Sequence, residues 1–322
     1  MPQTVAQLCS QAAQDAKIPG ANATIALTKL NIILDEICQK HDFAASRGVY
    51  YFNLNPGLIT TVGGITNYGG PYPLPLDYLR TSGSSGTEGV QYSFFYMYNG
   101  VPYFLRPWDL GRLDMQVQQP GQQNLPFGFA TDMSPENTFA DRVVLQTTGN
   151  TTLSSTSLSS VASTSGLLVG QGVAGLGIAP GTIISALPGG SVVTLSIAAT
   201  ATITGASVMF GTSPNLYVYP GPSGAFPCTL RYQRQMPQIT DTTRVPWFPD
   251  QQFLLTRLTA EMMVTTDDER YGRLIADSTK RMGEYHAFAD DKTNRAQTVL
   301  LDRDRWGRRG WNNLKNTKSI GY

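Results

Sequence analysis

Apolar positions recur at helical spacing near the two ends of the chain, and between them the pattern changes to aromatic and β-branched runs broken by Gly and Pro. Thr4 and Gln7 form a T-x-x-Q capping arrangement around Val5, and Leu8, Ala12 and Ala16 follow until Ile18-Pro19-Gly20 stops the run, which predicts a first helix. After Asn22, Leu27, Leu30, Ile33, Leu34, Ile37 and His41 fall on one stripe, predicting a longer second helix that ends near Phe43 and completes a helical hairpin. His41, beside Asp42 at that end, suits a capping or charge-dipole role. Late in the chain, Pro249-Asp250 opens a helix carrying Leu254, Leu258 and Met262. Thr266-Asp267 opens another, with Tyr271, Leu274, Ile275, Ser278, Met282, Tyr285 and Ala289 on one face.

The middle reads as sheet. From Gly48, V-Y-Y-F-N-L-N-P-G-L-I-T-T-V-G is an aromatic strand, an Asn-Pro-Gly turn and a second short strand. Pro71, Pro73 and Pro75 impose extended backbone, and Gly83 to Gly86 reads as a loop. In Val90 to Arg106, Asn99-Gly100 is a strong type I′ hairpin signal. A short helix is expected from Trp108 to Met115 and a glutamine-rich loop from Gln116 to Asn124, while Pro126 to Asp141 has little periodicity. Arg142-V-V-L-Q-T reads as a short strand. Asn215 to Pro237 reads as a strand, a Pro-Gly-Pro turn and a return strand, a hairpin that resumes the sheet.

Between Val143 and Leu230 there is no Asp, Glu, Lys or Arg. Within that stretch, Gly166 to Phe210 alternates β-branched runs with Gly and Pro, the pattern of a small all-β domain inserted into a loop of an α+β host. The expected class is α+β: a helical host with a small β-sheet and hairpin region, an inserted all-β domain and an extended C-terminal arm. The boundaries expected are 1–146 and 214–291 for the host, 147–213 for the insert and 292–322 for the arm.

Composition narrows the chemistry. The 322 residues hold 24 Lys and Arg against 23 Asp and Glu, which gives no global attraction to nucleic acid or a membrane surface. The Met1-Pro-Gln-Thr start has no basic segment leading into an apolar one, so no secretory leader is expected. The most apolar stretch, Leu167 to Leu187, is interrupted by Gly170, Gly172, Gly175, Gly177, Pro180 and Gly181 and suits no spanning helix. Cys9, Cys38 and Cys228 stand far apart with only His41 and His286 beside them, so free buried thiols are expected rather than a zinc site. Gly170 to Gly175 matches G-x-G-x-x-G by letters but lies between β runs with no helix after it, and G-x-x-x-x-G-K-[ST], H-E-x-x-H and G-x-S-x-G are absent. Glu284 and His286 point to opposite sides of a helix, and Asp267, Asp268 and Glu269 suit the positive end of a helix dipole better than an acid pair. Neither a catalytic residue, a cofactor nor a metal is expected. Lys292 to Tyr322, with Lys292, Arg295, Arg303, Arg305, Arg308, Arg309, Lys315 and Lys318 against Asp302 and Asp304, is basic and carries Trp306 and Trp311. That mixture suits anchoring on another protein, or phosphate contact with base stacking.

Several strings together resemble the head-to-tail adaptors of short-tailed bacteriophages. They are Thr4-V-A-Q-L to Asp15, A-L-T-K-L-N-I-I-L-D-E-I, V-Y-Y-F-N-L-N-P-G, L-Y-V-Y-P-G-P, L-R-Y-Q-R-Q-M-P and the late helices, in that order over about two thirds of the chain. The resemblance implies a non-enzymatic virion protein, made in the bacterial cytoplasm, that forms a homo-oligomeric, dodecameric ring at the head–tail interface. Such a ring has a helical collar, sits between the portal protein and the tail nozzle proteins, and passes double-stranded DNA through its lumen. It also implies a portal-docking arm at Arg303 to Leu314, with Arg303, Arg305, Trp306, Arg308, Arg309, Trp311 and Leu314 as the contact residues. The insert's G-I-A-P-G-T-I-I-S-A-L and V-V-T-L-S-I-A-A-T-A-T-I-T-G-A-S-V-M-F resemble the small Ig-like modules of virion proteins. Simple adaptors lack such an insert. The competing readings are a glycan- or receptor-binding tail protein acting through the insert, and a cell-wall hydrolase using the late-helix acids.

Overall fold

The structure, a computed structural model, describes residues 2–17, 22–41, 43–56, 59–62, 65–81, 93–116, 123–132, 142–263 and 269–285. It is mixed α+β, with five α-helices and several small, mostly antiparallel sheets among those residues. The chain divides into two units, one of residues 7–29 and 250–322 and one of residues 1–6 and 30–249.

The first unit is helical among its described residues. It holds the body of α1 (Val5–Ala16), the start of α2 (Ala23–Lys40), and later in the chain α4 (Gln251–Met263) and α5 (269–285). Both internal starts are capped: Asn22 Oδ1 accepts from the Ile25 N–H at 2.9 Å, and Asp250 Oδ1 from the Phe253 N–H at 2.9 Å. Leu8, Ala12 and Ala16 on α1 and Leu254, Leu258 and Met263 on α4 are buried, following the helical period. On α5 the stripe Tyr271, Leu274, Ile275, Met282 and Tyr285 is half-buried around Ser278, whose hydroxyl donates back to the Ile275 carbonyl at 2.8 Å.

The second unit carries the sheets. One is ordered β1 (Arg47–Leu54), β18 (Phe226–Arg234), β5 (Phe94–Tyr98), β6 (Val101–Phe104), with β4 (Tyr78–Thr81) also on β18. The other is ordered β2 (Ile59–Val62), β3 (Ile65–Pro73), β16 (Asn215–Tyr219), β9 (Gly128–Thr131), β7 (Arg106–Pro107). Leu54, Tyr78, Phe94, Tyr96, Leu230 and Tyr232 from the first and Tyr72, Phe129, Leu216 and Val218 from the second enter one core. A two-residue pair joins β8 (Gln123–Asn124) to β17 (Gly221–Pro222), and α3 (Leu110–Gln116) follows β7.

The sheet region is larger than the small β-region expected from the sequence, and its connectivity differs. β16 and β18 do not form a hairpin: β16 pairs with β3 and β9, whereas β18 pairs with β1, β4 and β5. The Pro-Gly-Pro stretch is a crossing between two sheets that share a core, which a turn signal alone cannot distinguish from a tight return. β9, in a stretch with little periodicity, is recruited by pairing on both sides rather than by its own pattern. The Asn99-Gly100 turn is as read: both residues have positive φ, 50° and 78°, and join β5 to β6.

β18 is the axis of its sheet. Gly48 lies opposite Tyr232, and a Cβ there would come within 2.7 Å of the tyrosine ring, so only glycine lets the ring lie across β1. The same ring's hydroxyl donates to Asp77 Oδ1 at 2.9 Å, and Arg234 Nε donates to Asp77 Oδ2 at 2.6 Å. The Asp77 carbonyl accepts from the Gln235 N–H at 2.7 Å. Burial, and next the facing Asp77 carboxylate, hold the Tyr232 hydroxyl well above the usual tyrosine range.

The charge-free stretch folds as two three-stranded sheets. One is β10 (Val143–Thr151), β15 (Ile203–Gly211), β12 (Gly172–Gly175). The other is β11 (Ser157–Leu158), β14 (Val192–Leu195), β13 (Ile184–Gly189). Leu158, Val161, Ile184, Val193 and Leu195 meet Val173, Val208 and Phe210 in a core of their own. β10 begins at Val143 and runs on past residue 147, longer than the short strand expected.

The Asp77 carboxylate sets a testable hierarchy. Asp77→Ala should destabilise the protein by about 3 to 5 kcal/mol, since it leaves the guanidinium of Arg234 without its carboxylate and the Tyr232 hydroxyl without its acceptor. Lys40→Ala, at the exposed Lys40–Glu36 pair, should cost under about 1 kcal/mol. Urea denaturation of the two variants measures both, and equal losses would place the lock elsewhere.

Candidate interaction surface

The sequence-derived contact residues Arg303, Arg305, Trp306, Arg308, Arg309, Trp311 and Leu314 lie outside the described residues, as do His286, Asp267 and Asp268. Glu269 is exposed and paired with Arg273 of the next turn at 2.5 Å. His41 lies beyond the end of α2, its N–H bonded to the Ile37 carbonyl and its ring 5.6 Å from that of Phe43. Among the described residues no three His, Cys, Asp or Glu gather as a metal site, and no helix is long and apolar enough to cross a membrane.

The three thiols are free and buried. Burial raises Cys9 and Cys38 to about 11 and Cys228 to about 12, so none is a reactive thiolate at neutral pH. A groove lined by Gly205, Ser207, Met236, Ile239 and Trp247 contains Asp241 and Arg244. Arg244 Nε meets Asp241 at 2.9 Å and its Nη2 donates to the Thr204 carbonyl at 2.7 Å, so the charges answer one another within the chain. Hydrogen bonds from the Thr243 hydroxyl and N–H, and then Arg244, hold the Asp241 carboxyl below its usual range.

The feature left open is the outer face of the β1–β18–β5–β6 sheet. Side chains alternate across a strand, so the register assigns them. Tyr51 lies opposite Thr229, Thr229 opposite Phe95 and Phe95 opposite Phe104, one row across four strands. Val49 faces Arg231 and Met97 faces Pro102 on the same side. Tyr51 is 73% exposed, Phe104 40%, and Val49 and Met97 nearly as much, while the alternate residues Leu54, Phe94, Tyr96 and Leu230 are in the core. Arg47 and Arg231 are the charged residues on this side of the four strands, which is otherwise apolar or neutral. Towards Gln233 the face closes, for Gln233 is buried and its amide donates to Ser46.

This surface has a sequence signature that the strand assignment alone passes over. A strand with one wet face alternates apolar and polar residues, whereas Tyr50-Tyr51-Phe52 and Phe94-Phe95-Tyr96-Met97 are apolar at both parities. Only the pairing shows which member of each couple is outside.

The thiols give a check on the packing around this sheet and the helices. At pH 8, native protein should react with a thiol reagent at none of the three cysteines, and denatured protein at all three. Because burial raises the thiol values from 9.0 to about 11 or 12, the stability present below pH 9 should be lost progressively as pH rises from there toward those values. Rapid labelling of folded protein would contradict this burial. In comparisons with known proteins, no family model matches the chain and no curated protein matches it.

Proposed function

We propose that the chain is a structural virion protein, a head-to-tail adaptor that forms a ring between the portal and the tail proteins and leaves a channel for double-stranded DNA. In this reading the helical parts form the host's collar, the charge-free β segment is an inserted Ig-like module, and the basic arm docks on the portal.

The observation that carries the reading is the apolar outer face bearing Val49, Tyr51, Phe95, Met97 and Phe104. A sheet face with this much exposed aromatic surface calls for a protein neighbour, since soluble monomers rarely leave large contiguous apolar patches open. A ring subunit has such neighbours on both sides. The order of motifs shared with adaptors and the Trp- and Arg-bearing arm support the same reading.

The test is assembly. Purified chain mixed with the cognate portal should yield closed rings on portal particles by electron microscopy, and a monomer that never joins the portal would overturn the reading. Joint Trp306→Ala and Trp311→Ala substitution should weaken portal binding by about 2 to 4 kcal/mol, as expected for two interface aromatics, with the melting temperature unchanged. If arginine changes dominate instead and affinity falls steeply with salt, the arm serves DNA. Portal binding by a chain ending at Leu301 that equals that of the intact chain would remove the docking arm.

A further inference from the structure

We infer that the free edge of β1 pairs antiparallel with the same strand of a second copy, so that the chain free of other proteins is a two-fold dimer joined through Val49, Tyr51 and Asn53. Hydrogen-bond parity decides which backbone groups of an edge strand face outward. The Arg231 N–H donates to the Ser93 carbonyl beside β5, at 2.7 Å, so odd-numbered residues of β18 turn their backbone groups toward β5 and even-numbered ones toward β1. On β1 the partners of those even residues are Gly48, Tyr50, Phe52 and Leu54. The N–H and C=O groups of Val49, Tyr51 and Asn53 therefore point out of the sheet, and among the described residues nothing pairs with them.

An open edge of this kind is what folded proteins normally obstruct with prolines, bulges, charges or brevity. Elsewhere this chain does so. β6, the opposite edge of the same sheet, has four residues, with Pro102 at a position that faces outward. β10 has register shifts at both ends, β13 has two and includes Pro188, and β2 has one. β7 and β11 have two residues each, and β12 has four with glycine at both ends. β1 has eight residues, an unbroken register, no proline, and no charge after Arg47.

β4, a further edge of the β1–β18–β5–β6 sheet, has four residues and a register shift against β18, and β8 and β17 have two residues each. Among the described residues β1 is thus the edge left open to an identical chain, and two copies satisfy it together by pairing it with itself, which is an isologous contact. Its composition suits this. With Tyr50 on the two-fold axis, Val49 faces Tyr51 of the second copy twice over, a β-branched residue against an aromatic one. Each Arg47 then faces Asn53, which keeps the two guanidinium groups at opposite ends. The paired sheet would cover part of Tyr51, the most exposed large apolar residue in the described chain. A contact made chiefly by one strand edge is small, so the dimer should be weak and concentration-dependent. The inference stands apart from the adaptor reading, because it concerns the chain before any partner joins it.

Sedimentation velocity on the intact chain over a concentration series tests it. The unmodified chain should pass from monomer to dimer. Tyr51→Pro should remain monomeric at the top of the series, because it removes an outward N–H and no bond to β18, and its circular dichroism should be unchanged. Val49→Lys, which keeps every backbone donor but sets a charge on the edge, should also lower the dimer fraction, and it decides the matter if Tyr51→Pro fails to fold. An unmodified chain that stays monomeric throughout, or folded variants that associate as it does, would overturn the inference. Portal rings formed by a chain that is always monomeric alone would leave the adaptor reading standing, and a β1 dimer that never joins portal would leave this inference standing.

Discussion

The larger unit depends on one buried carboxylate. Asp77 precedes β4, and its two oxygens take the hydroxyl of Tyr232 and the Nε of Arg234, residues two apart on β18, while its carbonyl takes the Gln235 N–H. Those contacts settle where β18 ends and which way it faces. Residues two apart share a side of a strand, so if Tyr232 and Arg234 meet one carboxylate, Leu230 and Cys228 must also face the core, and Thr229 and Arg231 must face out. The pairing of β1 and β5 on either side then passes that parity across the sheet. A one-residue slip would exchange the buried row of Leu54, Phe94 and Leu230 for the exposed row of Tyr51, Phe95 and Thr229. With aromatic residues on both faces, hydrophobicity alone penalises the slip weakly. The polar lock supplies the preference.

This explains which parts of the fold could be read from residues alone. Helices α1, α2, α4 and α5 carry local signals, namely caps at Asn22 and Asp250 and stripes of apolar residues, and these are decided within a few turns. The Asn99-Gly100 hairpin is equally local, because two consecutive positive φ angles demand those residues. The association of β18 with Asp77 spans 155 residues and has no local mark. Nor does the choice of β16 for a different sheet. The charge-free stretch was legible as a β module by what it lacks, but its first strand begins at Val143, where a run of β-branched residues starts directly after the last charge, Arg142. For the candidate surface, the doubled aromatics announced two apolar faces without saying which was buried.

The two β regions of the larger unit manage their exposed backbone differently, and the difference follows from composition. Lacking every charged residue, the charge-free β region cannot guard its edges with lysine, the commonest device. Its strands are instead short or out of register, and the turn between β13 and β14 uses Gly189 and Gly190 at positive φ to bring the chain back sharply. Such edges tolerate crowding by identical copies without pairing to them. β1 shows none of these devices although charge is available in its neighbourhood, with Arg47 at its start and Arg231 alongside Val49. Among the described residues, edge protection is therefore used at the other sheet edges and withheld at β1, the strand that also carries Tyr51. Where a chain capable of blocking its edges leaves one open beside an exposed aromatic face, the open edge and the face are best understood as parts of the same contact surface.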